Sequence, residues 1–149
     1  MIRGLETHVD IWNEEAGQTL VALHGFTGST ATWRNVAKDL PHVRVVAIDL
    51  IGHGQTAVPE QVSRFTMAEQ LRDLEEIFCQ LQLETFALLG YSMGGRIALS
   101  YTIAYPQRVS KLLLESASPG LRTAKERMER CERDKALAEK IITNGLQYL

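Results

Sequence analysis

The sequence predicts an α/β protein whose sheet is mostly parallel and covered by helices on both faces. Three observations carry that expectation. Short continuous apolar runs, Thr19-Leu20-Val21-Ala22-Leu23 and residues 43–48, have the character of strands buried on both sides. Each is followed by a stretch with helical apolar spacing, so strands and helices alternate along the chain. Between one such strand and its helix stands Gly90-Tyr91-Ser92-Met93-Gly94, a G-x-S-x-G turn.

Taken in order, residues 5–12 alternate loosely and end in Val9-Asp10-Ile11-Trp12, an edge strand, with a turn at residues 13–17. The Thr19 to Leu23 strand runs into His24-Gly25-Phe26-Thr27-Gly28-Ser29. Ser29 or Thr30 caps a helix with Trp33, Val36, Ala37 and Leu40 on one face, ended by Pro41. Residues 43–48 form the next strand, closed by Asp49. A loop over residues 50–64 contains Gly52-His53-Gly54. Thr66 and Glu69 are spaced as a capping box, and Leu71, Leu74, Ile77, Phe78 and Leu81 form the stripe of the following helix. The serine strand and helix come next, the helix stopping near Pro106, and residues 109–114 give a further strand.

Beyond Glu115 the character changes. Ser116 to Gly120 is loop, Thr123 and Glu126 form a second capping box, and residues 124–142 are heavily charged with a thin apolar line of Met128, Leu137 and Ile141. Composition favours a solvated helix, with Glu126/Arg130 and Glu129/Arg133 spaced for pairs along its face. Asn144-Gly145 breaks it, and Leu146 and Tyr148 point to a further element. The expected division is residues 1–118 as the core portion and 119–149 as the start of a helical cap.

The 149 residues are 45% hydrophobic with a formal net charge of -2, which suits a soluble domain and gives no electrostatic case for nucleic acid or an anionic membrane. Cys79 and Cys131 have no paired spacing, so reduced thiols and a cytoplasmic location are expected. No apolar run suggests a leader or a membrane span.

G-x-S-x-G between a strand and a helix is the nucleophile elbow of the α/β-hydrolase fold. Such a turn lifts a serine Oγ clear of the sheet, and the N–H groups opening the next helix stabilise negative charge beside it. Ser92 is the nucleophile candidate. The fold draws its oxyanion hole from the N–H after the nucleophile, here Met93, and from the loop after an early strand, here Phe26. His24 precedes Ser92, against the chain order Ser, acid, His, so it is expected to brace its loop, and His53 to buttress a turn. No histidine follows Ser92. A serine without a proton acceptor is a poor nucleophile, so the chain reads as the N-terminal part of a longer enzyme, with its sheet incomplete on the C-terminal side. Asp134 and the other acids after residue 115 lie on the charged helix and are poor triad candidates. Arg96 stands one helical turn after Ser92, where a guanidinium must be ion-paired or used to grip a substrate carboxylate.

Leu23-His24-Gly25-Phe26-Thr27-Gly28, Gly52-His53-Gly54, the serine turn through Arg96, Leu114-Glu115-Ser116 and Pro119-Gly120-Leu121-Arg122-Thr123 together resemble the MenH family of menaquinone biosynthesis. These are the 2-succinyl-6-hydroxy-2,4-cyclohexadiene-1-carboxylate synthases, and the likeness is best to the bacillus-type versions. The resemblance implies an α/β-hydrolase core used as a carbon–oxygen lyase: a serine triad removes a proton, pyruvate is expelled, and the oxyanion hole steadies the enolate. It implies no metal or organic cofactor and a small polycarboxylate substrate held by Arg96 and Arg130, with Arg127 a weaker candidate and Tyr91 lining the pocket. It also implies that some arginines of the charged helix face inward. Two alternatives stand beside it, a carboxylesterase on the same fold and a non-catalytic remnant binding an acidic ligand or a partner chain. An unfinished sheet is expected to expose an edge that favours association.

Overall fold

The computed structural model describes residues 1–148. The chain divides into two compact units, Met1–Ala117 and Ser118–Leu149.

The first unit is a five-stranded sheet in the order β1-β3-β2-β4-β5. Strand β1 (Val9–Trp12) lies at one edge, antiparallel to β3 (Val43–Ile48). Strands β2 (Gln18–Leu23), β4 (Phe86–Tyr91) and β5 (Val109–Glu115) run parallel to β3 and to one another. The parallel strands therefore end together at one edge of the sheet, which is where the serine turn, the His24 loop and Asp49 gather. The apolar runs are explained by position: Val21, Ala22 and Leu23 at the centre are fully buried, as are Val45, Val46 and Ala47 beside them. Alternation of side chains sends them to two faces. On one face Val21, Leu23, Val46, Ile48 and Leu88 pack under α2 (Met67–Gln80) and α3 (Met93–Ala104), centred on Phe78, Phe86 and Tyr101. The other face carries the smaller cluster of Ala22, Ala47 and Trp33, beneath the 3-10 turn Thr30–Trp33 and α1 (Arg34–Asp39).

Helix α2 buries Leu74, Ile77 and Phe78 of its expected stripe, with Leu71 and Leu81 at its margin. Its Glu75 joins α3 and the loop before β5. Tyr101 Oη donates to Glu75 at 2.5 Å, and Arg108 forms an ion pair with the same carboxylate. Burial opposes ionisation of Glu75, but the hydrogen bonds from Arg108 and Tyr101 outweigh it and hold the carboxyl below its usual range.

Two expectations fail, one through competition for a side chain and one because a helix ends early. Thr66 precedes α2 but makes no capping bond. Glu69, its intended partner, is drawn to Arg3 at 2.6 Å and to Arg72 at 2.5 Å. Ser29 does cap the first helical turn, yet Leu40 at its end is 38% exposed, because the chain has already left the helix before Pro41.

The second unit contains α4 (Ala124–Asn144) and a 3-10 turn, Leu146–Tyr148, after Gly145, whose φ of 81° ends the helix. Thr123 and Glu126 form the capping box as expected. That box consumes Glu126, so Glu126/Arg130 does not form; Arg130 pairs instead with Asp134 at 2.7 Å. Arg133 turns to the Glu129 carbonyl, and Lys125 faces the Glu129 carboxylate at 3.9 Å. Leu137 and Ile141 are half-buried and Met128 is exposed. Both cysteines are free and exposed. No helix among the described residues is long and apolar enough to cross a membrane.

Candidate active site at the β4–α3 turn

Ser92 has φ 51° and ψ −108°, a left-handed conformation that side-chain-bearing residues rarely adopt. It is the single residue between β4 and α3. Its amide donates to Glu115 O at the end of β5 (2.9 Å), and its side chain makes no capping bond to the helix. The bend requires close backbone approach on both sides. A Cβ at Gly90 would lie 2.5 Å from Gly94 O and from Gly95 Cα; one at Gly94 would lie 2.3 Å from Leu23 O. Only hydrogen fits at either place, so α3 begins hard against the ends of β4 and β2.

That contact brings the two predicted oxyanion donors to one side of the sheet. Gly94 N–H donates to His24 O at 3.1 Å, tying the first turn of α3 to the loop after β2. Gly25 is packed so tightly there that a Cβ would meet the Tyr91 ring at 2.9 Å and Ser92 Cβ at 3.5 Å. The Phe26 loop thus lies beside the serine. Among the described residues, neither Phe26 N–H nor Met93 N–H donates to any protein acceptor. The side chains of Phe26 and Tyr91 are 48% and 39% exposed, and Ser92 is half-buried.

His24 is fully buried and bonded at both nitrogens. Nδ1 donates to Gly25 O at 2.7 Å, and Leu50 N–H donates to Nε2 at 3.0 Å. These partners fix the neutral Nδ1–H tautomer and occupy the lone pair a general base would need. Burial, above all, pushes its pKa below the ordinary value, with the neighbouring His53 adding to the effect. His24 is a brace.

Asp49 carries a role the sequence did not reveal. It is 1% exposed, and its carboxylate accepts from Thr30 N–H at 2.7 Å and from Gln55 N–H at 2.9 Å. It joins the turn before α1 to the 50–56 loop, which Thr56 closes by donating to Asp49 O at 2.7 Å. A buried strand ending in an acid and followed by Gly52-His53-Gly54 was the one available signal.

Arg96 is half-buried, its amide following Ser92 O at 3.3 Å. Among the described residues its guanidinium forms no ion pair and no hydrogen bond, so of the two readings of Arg96 the structural pair is not formed. The arginines of α4 behave differently. Arg127 Nη1 donates to Leu121 O (2.9 Å) and Arg122 O (2.8 Å), and Arg130, exposed, is engaged by Asp134. Both are satisfied within their own unit. Among the described residues no group of three His, Cys, Asp or Glu side chains could hold a metal ion.

The family model for the alpha/beta hydrolase fold matches residues 18–139. The chain belongs to this family. It is 48% identical over 132 residues to a putative 2-succinyl-6-hydroxy-2,4-cyclohexadiene-1-carboxylate synthase of Bacillus subtilis (strain 168), covering 89% of this chain and 48% of that protein. A 2-succinyl-6-hydroxy-2,4-cyclohexadiene-1-carboxylate synthase of Enterobacter sp. (strain 638) is 36% identical over 128 residues, covering 86% of this chain and 48% of that one. Among solved structures, a marine microorganism esterase superposes with a TM-score of 0.76 at 28% identity, over 92% of this chain and 51% of that one. The chain spans about half the length of the curated relatives it matches.

Proposed function

We propose that this chain is the serine-bearing part of a menaquinone-pathway 2-succinyl-6-hydroxy-2,4-cyclohexadiene-1-carboxylate synthase. That enzyme is a carbon–oxygen lyase. The observation that carries the reading is the unpaired guanidinium of Arg96, one turn from Ser92, in a chain similar to synthases of that name. An uncompensated, half-buried cation is costly unless a ligand supplies the anion. A substrate with several carboxylates supplies it, and a guanidinium binds a carboxylate through two parallel N–H bonds.

In this reading the substrate is 2-succinyl-5-enolpyruvyl-6-hydroxy-3-cyclohexene-1-carboxylate. Removal of a ring proton forms an enolate, whose oxygen lies against the open N–H groups of Phe26 and Met93. The enolate collapses to a carbon–carbon double bond as the carbon–oxygen bond to the enolpyruvyl group breaks, and the leaving group departs as enolpyruvate, which takes up a proton to become pyruvate. Ser92 hands the proton on to a triad base. No histidine follows Ser92 in these 149 residues, so the base and its acid belong to the remainder of the protein. The 149-residue chain alone is then without turnover. Arg130, Arg127 and Tyr91 are proposed as further substrate contacts on the family likeness.

The test is pyruvate release from that substrate by the protein that carries this chain. Ser92→Ala should abolish it. Arg96→Ala should raise KM by about 10- to 100-fold, the loss of a charge-assisted hydrogen bond of about 1.5–3 kcal/mol. Ester hydrolysis without pyruvate release, indifferent to Arg96→Ala, would instead establish the second reading, a carboxylesterase, which the likeness to the marine esterase favours. Steady pyruvate release by the 149-residue chain alone, abolished by Ser92→Ala, would overturn the assignment of the base to the rest of the protein. Binding of an acidic ligand with no turnover by the complete protein would point to a non-catalytic remnant.

A further inference from the structure

Two histidines face each other across the loops beside Ser92, His24 and His53, with ring centroids 5.1 Å apart. His24 joins the two loops from one side, bonding Gly25 O and accepting from Leu50 N–H. His53 joins them from the other. Its Nε2 lies 2.8 Å from Phe26 O and its Nδ1 lies 3.0 Å from Ile51 O, and the Phe26 ring stands edge-on to it at 5.9 Å.

The hydrogen-bond ledger of residues 24–26 is uneven. His24 O accepts from Gly94 N–H, and Gly25 O accepts from Gly28 N–H at 3.0 Å as well as from the His24 ring. Among the described residues Phe26 O is held by the His53 ring alone. All three carbonyls are held, while among the described residues Phe26 N–H has no protein acceptor. Phe26 N–H shares its planar peptide with Gly25 O, which His24 and Gly28 hold, and His53 holds the next peptide of the same turn; an oxyanion donor acts only if it is in place before the charge develops.

We propose that His53 is a positioning residue for the Ser92 centre: donation from its Nε2–H to Phe26 O tethers the 25–28 turn, and with it the Phe26 N–H, to the loop over residues 50–56. The ring spans two acceptors that cannot donate in return. A neutral ring satisfies the Phe26 carbonyl from Nε2, and a doubly protonated ring satisfies the Ile51 carbonyl too. This rests on the reading of Phe26 as an oxyanion donor given above. His53 itself touches no reacting atom.

The half-buried position of His53 leaves room for substitution. His53→Phe keeps a ring and removes both donors; His53→Gln restores a donor at similar reach. Two readouts separate positioning from general support. The first is amide exchange in the protein that carries this chain. Gly28 N–H, which closes the loop, should exchange about tenfold faster in His53→Phe and near the parent rate in His53→Gln. Gly94 N–H, held by His24 O, should not change. The second is pyruvate release, where His53→Phe should lower kcat by about 10- to 100-fold with KM within about twofold. His53→Gln should recover most of it.

Unchanged Gly28 exchange in His53→Phe overturns the proposal whatever the activity. A loosened Gly28 with unchanged kcat also overturns it, as does a loss that falls on KM. If the protein releases no pyruvate at all, the proposed function has failed. The kcat comparison is then made on p-nitrophenyl acetate hydrolysis, which needs the same oxyanion donors. If that too is absent, Gly28 exchange alone decides, for or against.

Discussion

Replacing Ser92 by glycine should make the protein more stable while removing its reactive group. The residue is held at φ 51°, ψ −108°, and a side-chain-bearing residue in such a region carries about 1–3 kcal/mol of strain. Glycine relieves that strain. It also adds freedom to the unfolded chain, which costs about 0.5–1 kcal/mol relative to alanine. The Ser92 side chain makes no hydrogen bond to the helix it opens, so its removal forfeits no such bond. Ser92→Ala is the control, since alanine keeps the Cβ and hence the strain. Taking the middle of each range, Ser92→Gly should exceed Ser92→Ala by about 1 kcal/mol. In urea, with a slope of about 2 kcal/mol per molar, that is a midpoint about 0.5 M higher. Equilibrium unfolding of the two variants side by side measures it. Equal midpoints, or a lower one for glycine, would show that the bend costs nothing. The account of Ser92 as a side chain held in tension by its surroundings would then be wrong.

Two other outcomes follow from the loops. Asp49→Ala should destabilise by about 1–3 kcal/mol, since the buried amide of Thr30 loses its acceptor while the amide of exposed Gln55 can turn to water. Asp49→Asn, which keeps one acceptor oxygen, should fall about halfway, and thermal unfolding distinguishes the two. His24 should make stability depend on pH in a definite direction. Its folded pKa lies below the ordinary 6.5, so the unfolded chain binds the extra proton first. Its contribution is present above pH 6.5 and is lost as pH falls through that value toward the folded pKa. His24→Asn should flatten this part of the unfolding profile below pH 6.5; a slope unchanged in that variant would remove His24 as its source.

The sheet was legible because its signals are local and redundant. Strand β2 is apolar at consecutive positions since both of its faces are covered, and the run is too short for a buried helix. The serine bend was legible for a steric reason: Gly90 and Gly94 sit where any side chain would strike backbone. Features decided by distant partners were not legible. Thr66 and Glu69 have capping spacing, but Glu69 is claimed by Arg3, remote in sequence and adjacent in space. Glu126 offered both a cap and an ion pair, and the cap won because Thr123 is held in place by the backbone itself. Asp49 looks like any strand-ending acid until two loops fold over it. Arg96 posed a question that sequence could frame but not answer, whether a partner exists, and among the described residues there is none.

The amides on and just beyond the serine are anchored to different strands, Ser92 N–H to the end of β5 and Gly94 N–H to the residue following β2. A hydroxyl pinned in this manner behaves as a surveyor's mark. Neighbouring segments can be lengthened, exchanged or recharged while its coordinates stay put, because nothing that locates it lies in them. Engineering a new specificity on this framework therefore reduces to redrawing the terrain around residue 92, and any attempt that begins by altering the tails of β2 or β5 moves the mark itself.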